Sequence, residues 1–325
     1  MDYQHTVARS ATISGIALHT GVPVSLHLKT APANTGIVFK RTDLEGFPIE
    51  ARARNVARVS YATSLMKKGV LISTTEHLLS ALAASQVDNV LVEIDNLEVP
   101  IMDGSALPFF RLIAQAGLKR QRAPRTYAKV RRSLEVIESG KRIAIHPSDG
   151  FRITYRIGFP HPLIGEQCFS FWPAGTASAN GIPASRNYET DIAPARTFGM
   201  LEEVEVLRKQ GLVRGGSLES AIVLTRDGVL NPEGLRFPDE FCRHKILDLI
   251  GDLVMLGYPL LGHVVAERAG HAMHYALVSR MLREKDAWEL VNADAGRPAT
   301  VSPAAEAGER EGLDLNSRHR AAHAR

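Results

Sequence analysis

From His5 to Arg54 the chain alternates apolar and polar residues in short runs such as Val22-Pro23-Val24-Ser25-Leu26-His27-Leu28, punctuated by Gly15, Gly21, Gly36 and Gly46. A period of two sends successive side chains to opposite faces, so this stretch predicts strands. Ser73-Thr74-Thr75-Glu76 has the form of a capping box and precedes a run rich in Leu and Ala, His77 to Ala84, which predicts a helix. A strand over 89–94 follows. Apolar residues at helical spacing from Leu107 to Ala116, stopped by Gly117, then predict a second helix.

Seven basic residues between Lys119 and Arg132, with Pro124 among them, read as a solvated connection, and we place a domain boundary near Pro124. Strand patterns resume from Tyr127 to Ile157, a long helix begins near Pro238, a strand covers 260–267, and a helix runs from His271 to about Val291. The two halves share an order of elements. The expected fold is α+β, with two similar domains, 1–124 and 125–295, each a sheet covered by helices on one face. Residues 296–325 are dominated by Ala, Arg, Glu and Pro and are expected to be a disordered tail.

Composition narrows the class of protein. The 325 residues are 45% hydrophobic and 23% charged, which excludes wholesale disorder, and a net charge of only +4 argues against a nucleic-acid partner. The basic run contains one aromatic, Tyr127, and lacks the interleaving of single-strand binders. The longest apolar stretch, 249–262, is shorter than the ~20 residues of a membrane span and carries Asp252, so no integral membrane association is expected. Two cysteines, Cys168 and Cys242, and an N-terminus without a signal-peptide layout fit a reducing cytoplasm. Nothing in the sequence calls for an obligate protein partner.

Four features carry candidate chemistry. His244 and Asp248 are four apart on the long helix, opposite the stripe Ile246, Leu249, Ile250 and Leu253; such a pair is either the start of a zinc site or a solvent-facing polar pair, and Gly251 leaves room beside it. Cys242 points about 200° around the helix from His244 and is assigned to the core. Glu76-His77 offers a carboxylate for general-base work beside a nitrogen ligand, or merely the capping-box glutamate and a first-turn histidine. His271, at a helix start after Gly270, is either a surface residue or an acid that needs an acidic neighbour to offset the helix dipole, with His274 one turn away as an alternative partner. Gly215-Gly216-Ser217 lacks the following Lys-Ser/Thr of a phosphate loop.

Longer strings carry a resemblance. Ala33-Asn34-Thr35-Gly36-Ile37-Val38-Phe39, Ser73 to Leu78, Pro100-Ile101-Met102-Asp103-Gly104-Ser105-Ala106, Ala195-Arg196-Thr197-Phe198-Gly199 and Arg236 to Asp248 resemble the zinc-dependent UDP-3-O-acyl-N-acetylglucosamine deacetylases over about residues 5–295. Members of that family carry out the committed step of lipid A synthesis in Gram-negative bacteria. The resemblance implies a hydrolase that removes acetate from the 2-acetamido group of a UDP-linked acylated amino sugar. It makes His77, His244 and Asp248 the zinc ligands, Glu76 the general base, and His271 the general acid or charge stabiliser. It also implies that Thr197 holds the oxyanion, Phe198 lines the sugar site, Lys245 meets the polar part of the substrate, and a hydrophobic insertion, 199–223, admits the acyl chain. Leu201, Val204, Val213 and Leu218 are the expected lining. These ligands suit Fe²⁺ as well as Zn²⁺. The family's usual asparagine three residues after the acid histidine is His274 here, and the tail beyond about Asp294 has no counterpart.

Two rival functions remain at this stage. A polyanion-binding module would use the 119–132 run and lose affinity with salt but not with chelator. A zinc peptidase would keep the metal site, although no H-E-x-x-H motif is present.

Overall fold

The computed structural model describes residues 2–173 and 187–292, which form α+β structure. The expected tail, 296–325, lies outside the described residues. One sheet has five strands in the order Ala11–Ile16, Pro23–Thr30, Val90–Ile94, Ile37–Arg41, Phe47–Glu50, with Val90–Ile94 and Ile37–Arg41 parallel. Helices α1 (Glu76–Ala84) and α2 (Leu107–Ala116) pack together beside it. The alternation read from the sequence has a direct cause: Val24, Leu26 and Leu28 are buried while the residues between them are only half so.

A second sheet has seven strands. Five follow the order Leu134–Glu138, Lys141–His146, Leu260–Glu267, Thr126–Val130, Trp288–Asn292; Phe151–Phe159 lies parallel to Leu260–Glu267 and carries Gly165–Phe171 antiparallel on its other side. A short turn α3 (Tyr188–Asp191) and α4 (Leu201–Lys209) come before the two long helices, α5 (Glu240–Leu253) and α6 (His271–Arg283). Helix α5 touches α1, α6 and strands of the second sheet, so the helices lie between the two sheets. The buried apolar side chains form one cluster that reaches from Leu26 and Phe39 on the first sheet to Ile143 and Val264 on the second.

Two expectations need correction. Residues 119–132 are largely solvated, with Lys119, Arg120, Arg122, Arg131 and Arg132 exposed, but they form strands rather than an irregular connection. Leu118–Pro124 pairs antiparallel with Tyr3–Val7, the Arg120 guanidinium lies 3.7 Å from the centre of the Tyr3 ring, and Arg125 is buried with its Nε donating to Asp88 Oδ1 at 2.8 Å. The last helix ends at Arg283, because Trp288–Asn292 is drawn into the sheet edge beside Thr126–Val130, where its backbone hydrogen bonds are satisfied. Gly215, where the sequence already lacks a phosphate-loop pattern, serves backbone approach: its amide donates to Leu18 O at 3.0 Å, and a Cβ there would sit 2.2 Å from Ala17 O.

The insertion 199–223 is a small β-α-β unit. Strands Phe198–Met200 and Ile222–Leu224 run parallel, and α4 crosses between them. No residue of α4 is fully buried. Its apolar residues sit at the surface of the molecule, with Val206 51% exposed.

Candidate metal centre

Helix α5 is apolar on one side, and the sequence pattern leaves open whether the other side meets water. It does not, because α5 has α1 on one flank and the second sheet on the other. His244, Asp248 and Asp252 follow one another at four-residue spacing, so they share one helix face, and all three are buried. The solvent-facing reading of the His244 and Asp248 pair is therefore wrong. Cys242 is buried, as its place on the helix predicts, and its thiol donates to Tyr155 O at 3.3 Å.

The first turn of α1 meets this face because Gly251 has no side chain. A Cβ at Gly251 would lie 2.1 Å from Glu76 O, so the glycine admits the backbone of α1 rather than leaving open space. The capping box is not formed. Ser73 Oγ is spent on Ser64 Oγ at 2.9 Å, the residue before the helix is Thr75, and Glu76 Oε2 accepts from the Thr63 amide at 3.0 Å. Freed from capping, the glutamate faces α5 and α6.

His77, His244 and Asp248 offer three ligand atoms within 4.8 Å of one another, all buried. Asp248 Oδ1 is 3.3 Å from His244 Nε2 and 3.7 Å from His77 Nε2, yet it makes no hydrogen bond. His244 Nδ1 donates to Ala195 O at 3.0 Å, which leaves a lone pair on Nε2 when the ring is neutral. Burial pushes His77 down to about 3, with His244 adding to the effect, and burial lowers His244 also. Burial works against the Asp248 carboxylate, but His244, Lys245 and His271 hold it well below the usual range. Two neutral imidazoles and an ionised carboxylate thus aim lone pairs at one point. Such an arrangement is unfavourable unless a cation occupies it, and two nitrogens with one oxygen at tetrahedral reach suit zinc or ferrous iron.

Beside these groups lies a second cluster. His271 Nδ1 donates to Asp252 Oδ2 at 2.7 Å, and its Nε2 is 3.9 Å from Asp248 Oδ2. This supplies the acidic neighbour that a charged histidine at the start of α6 requires. Burial disfavours the cation, but Asp252 and Asp248 outweigh it and raise His271 to about 9. Glu76 moves the other way: burial raises its carboxyl to about 7, opposed by His271 and reinforced by Asp248 and Asp252. A group that accepts a proton near neutrality and one that still holds its proton there are the requirements of paired acid and base chemistry. His274 is fully buried on the same carboxylate, its Nδ1 2.8 Å from Asp252 Oδ2, with its ring centre 5.9 Å from that of His271.

Of Thr197 and Phe198, it is Phe198 that touches this cluster, through His244. Arg196 is buried and its Nε donates to buried Glu240 at 2.9 Å, clamping 195–198 against the first turn of α5. The Thr197 amide donates to Gly104 O and its carbonyl accepts from Ile222, both at 2.8 Å. Phe198 packs against Phe241 at 4.9 Å and His244 at 6.3 Å between ring centres. Lys245 Nζ is 2.8 Å from Asp248 Oδ2 and 5.6 Å from the centre of the Phe198 ring. Of the expected acyl-chain lining, Val213 is buried, Leu201 and Val204 are half-buried on α4, and Leu218 is 38% exposed.

Asp252 and Thr63 join the site without having been expected from the sequence. Asp252 continues the four-residue spacing of His244 and Asp248, a signal that was present; Thr63 precedes a short strand and carries no pattern. Comparison with known proteins gives the family. Residues 4–283 match the family described as UDP-3-O-acyl N-acetylglycosamine deacetylase. Similar proteins include the UDP-3-O-acyl-N-acetylglucosamine deacetylase of Solibacter usitatus, 52% identical over 294 residues that cover 90% of this chain and 96% of the relative. Proteins of the same name from Myxococcus xanthus and Syntrophotalea carbinolica are each 44% identical, covering 89% and 90% of this chain and 90% and 92% of their own lengths. With a match over residues 4–283, which includes every residue of the two clusters, the chain belongs to the UDP-3-O-acyl N-acetylglycosamine deacetylase family.

Proposed function

We propose that this protein is a zinc-dependent amidase that hydrolyses the 2-acetamido group of UDP-3-O-acyl-N-acetylglucosamine, releasing acetate and leaving a free amine, the committed step of lipid A synthesis. The observation that carries the reading is the unpartnered Asp248 Oδ1 between His77 and His244, with Glu76 and His271 beside it. His77, His244 and Asp248 hold the metal. Bound there, zinc supplies a Lewis acid for the acetamide carbonyl and lowers the pKa of water towards ~7.

The chain's own groups do the rest. Glu76 takes a proton from the attacking water, and the Thr63 amide on its Oε2 keeps the carboxylate turned to the site. Thr197 donates to the oxygen that gains charge as the carbonyl becomes tetrahedral. His271 delivers a proton to the nitrogen as the carbon–nitrogen bond breaks, without which an amine anion is too poor a leaving group. Phe198 offers an apolar wall to the sugar, and Lys245 meets the polar part of the substrate. Leu201, Val204, Val213 and Leu218 of the insertion line the passage for the acyl chain.

The site then lies between two units that divide near Pro124, 1–124 giving Thr63, Glu76 and His77 and 125–295 giving His244, Asp248 and His271. No helix among the described residues is long and apolar enough to cross a membrane, and it is the nucleotide-linked substrate of the proposed reaction that argues for a cytoplasmic enzyme. The test is acetate release from UDP-3-O-acyl-N-acetylglucosamine by purified protein, repeated after chelation and after adding back zinc or ferrous iron. Release that chelation abolishes and metal restores is expected; release indifferent to chelator would overturn the reading.

A further inference from the structure

The proposed reaction uses His271 and leaves unexplained the buried pair behind it. His274 lies one turn further along α6 and is fully buried, its Nδ1 2.8 Å from Asp252 Oδ2 and its Nε2 2.9 Å from the hydroxyl of Tyr155, itself fully buried on the second sheet. Asp252 is thereby surrounded. Its Oδ1 accepts from Thr63 Oγ1 at 2.6 Å, and its Oδ2 accepts from both His271 and His274.

The donors can be assigned. A carboxylate only accepts, so the hydrogen of His274 is on Nδ1. The lone pair of the neutral ring is then on Nε2, and it requires a donor, which is the Tyr155 hydroxyl. Reversing the tautomer would put a lone pair of Nδ1 against the Asp252 carboxylate at 2.8 Å. The terminal torsion of an aspartate is soft, so its plane is fixed by what donates to its oxygens. Rings of His271 and His274 stand 5.9 Å apart at 75°, and both meet the same oxygen, Asp252 Oδ2.

We propose that Tyr155 and His274 are positioning residues for His271: the phenol locks His274 in its Nδ1–H tautomer, and that N–H fixes the Asp252 carboxylate on which the His271 ring is held. The inference rests on His271 being the proton donor of the proposed reaction. A histidine that merely filled the core would affect stability alone. A strut that orients the donor affects kcat, since misplacing a reacting group by ~1 Å costs up to about a hundredfold.

The experiment combines ¹⁵N-histidine spectra with kinetics. His274, assigned by its loss in His274→Asn, is expected to show a protonated Nδ1 and an unprotonated Nε2 in the wild type, and a tautomer mixture in Tyr155→Phe. His274→Asn keeps a donor near the Nδ1 position and is expected to hold kcat within about threefold, whereas His274→Leu, which cannot donate, loses roughly tenfold or more in kcat with KM and zinc content unchanged. A wild-type Nε2–H tautomer, or equal kcat in wild type and His274→Leu, would overturn the proposal. If His274→Leu does not fold, the spectra of the wild type and Tyr155→Phe decide it. A wild type that releases no acetate would defeat the deacetylase reading, and the tautomer would still be measured separately.

Discussion

Thr63 Oγ1 donates to Asp252 Oδ1 across 2.6 Å, tying a residue that precedes α1 to one near the end of α5. The backbone amide of Thr63 donates to Glu76 Oε2 at 3.0 Å, and its carbonyl accepts from the amide and hydroxyl of Thr75 at 3.2 and 3.1 Å. One short residue therefore touches the proposed base and the carboxylate that holds the proposed acid. Their separation is set by its backbone and a single Cβ.

Thr63→Val keeps the shape and the amide but removes the hydroxyl. Loss of a buried hydrogen bond to a carboxylate costs about 1.5–3 kcal/mol, so urea denaturation should show a stability loss of that order. The kcat should fall as Asp252 loses its hold, while Thr63→Ser should retain most of both. Wild-type stability and rate in Thr63→Val would show that the contact does no positioning.

The two shifted groups set a pH profile. Glu76 must be ionised, so kcat/KM should rise as pH passes upward through its pKa, raised by burial to about 7 and lowered again when a metal cation is bound nearby. His271 must be protonated, so kcat/KM should fall as pH rises through about 9, the value to which Asp252 and Asp248 bring it against burial. Asp252→Asn removes the foremost of those raising charges, and the basic limb should move to lower pH. A basic limb that stays in place would detach His271 from it.

Gly251→Ala would set a Cβ 2.1 Å from the Glu76 carbonyl, in contact with backbone that belongs to a helix. Overpacking of this kind costs about 1–3 kcal/mol. Because the displaced turn carries Glu76 and His77, metal affinity should fall along with stability. Calorimetry paired with a zinc titration would separate the two, and unchanged zinc affinity would contradict the role given to the glycine.

For the acyl passage, burial is worth about 0.8 kcal/mol per CH₂, so shortening the chain by four methylenes should lose roughly 3 kcal/mol in kcat/KM if all were enclosed. Leu201→Asp or Leu218→Asp should penalise a long-chain substrate far more than a 3-O-acetyl analogue, which need not desolvate against the new carboxylate. Equal losses with both substrates would remove these residues from the lining.

The legible part of this protein is the part written in local periodicity. Alternation in Pro23–Thr30 and in Leu260–Glu267 marked strands, and the four-residue step from His244 to Asp248 placed both side chains on one face of a helix. Whether that face met water or another helix was not written there, because it depends on Gly251 meeting Glu76, a contact between distant parts of the chain. Ser73 to Glu76 satisfied a capping pattern, yet tertiary partners at Ser64 and Thr63 claimed both side chains. Trp288–Asn292 continued an apolar run that read as helix until a sheet edge gave its backbone better partners.

The central claim is that His77, His244 and Asp248 together hold a metal that the reaction needs, and the most direct measurement is the zinc content of wild type and Asp248→Ala, with folding checked by circular dichroism. About one zinc per wild-type chain is expected. Asp248→Ala should be folded, bind little zinc and release no acetate from UDP-3-O-acyl-N-acetylglucosamine. A folded Asp248→Ala that keeps full zinc occupancy and the wild-type rate would contradict it.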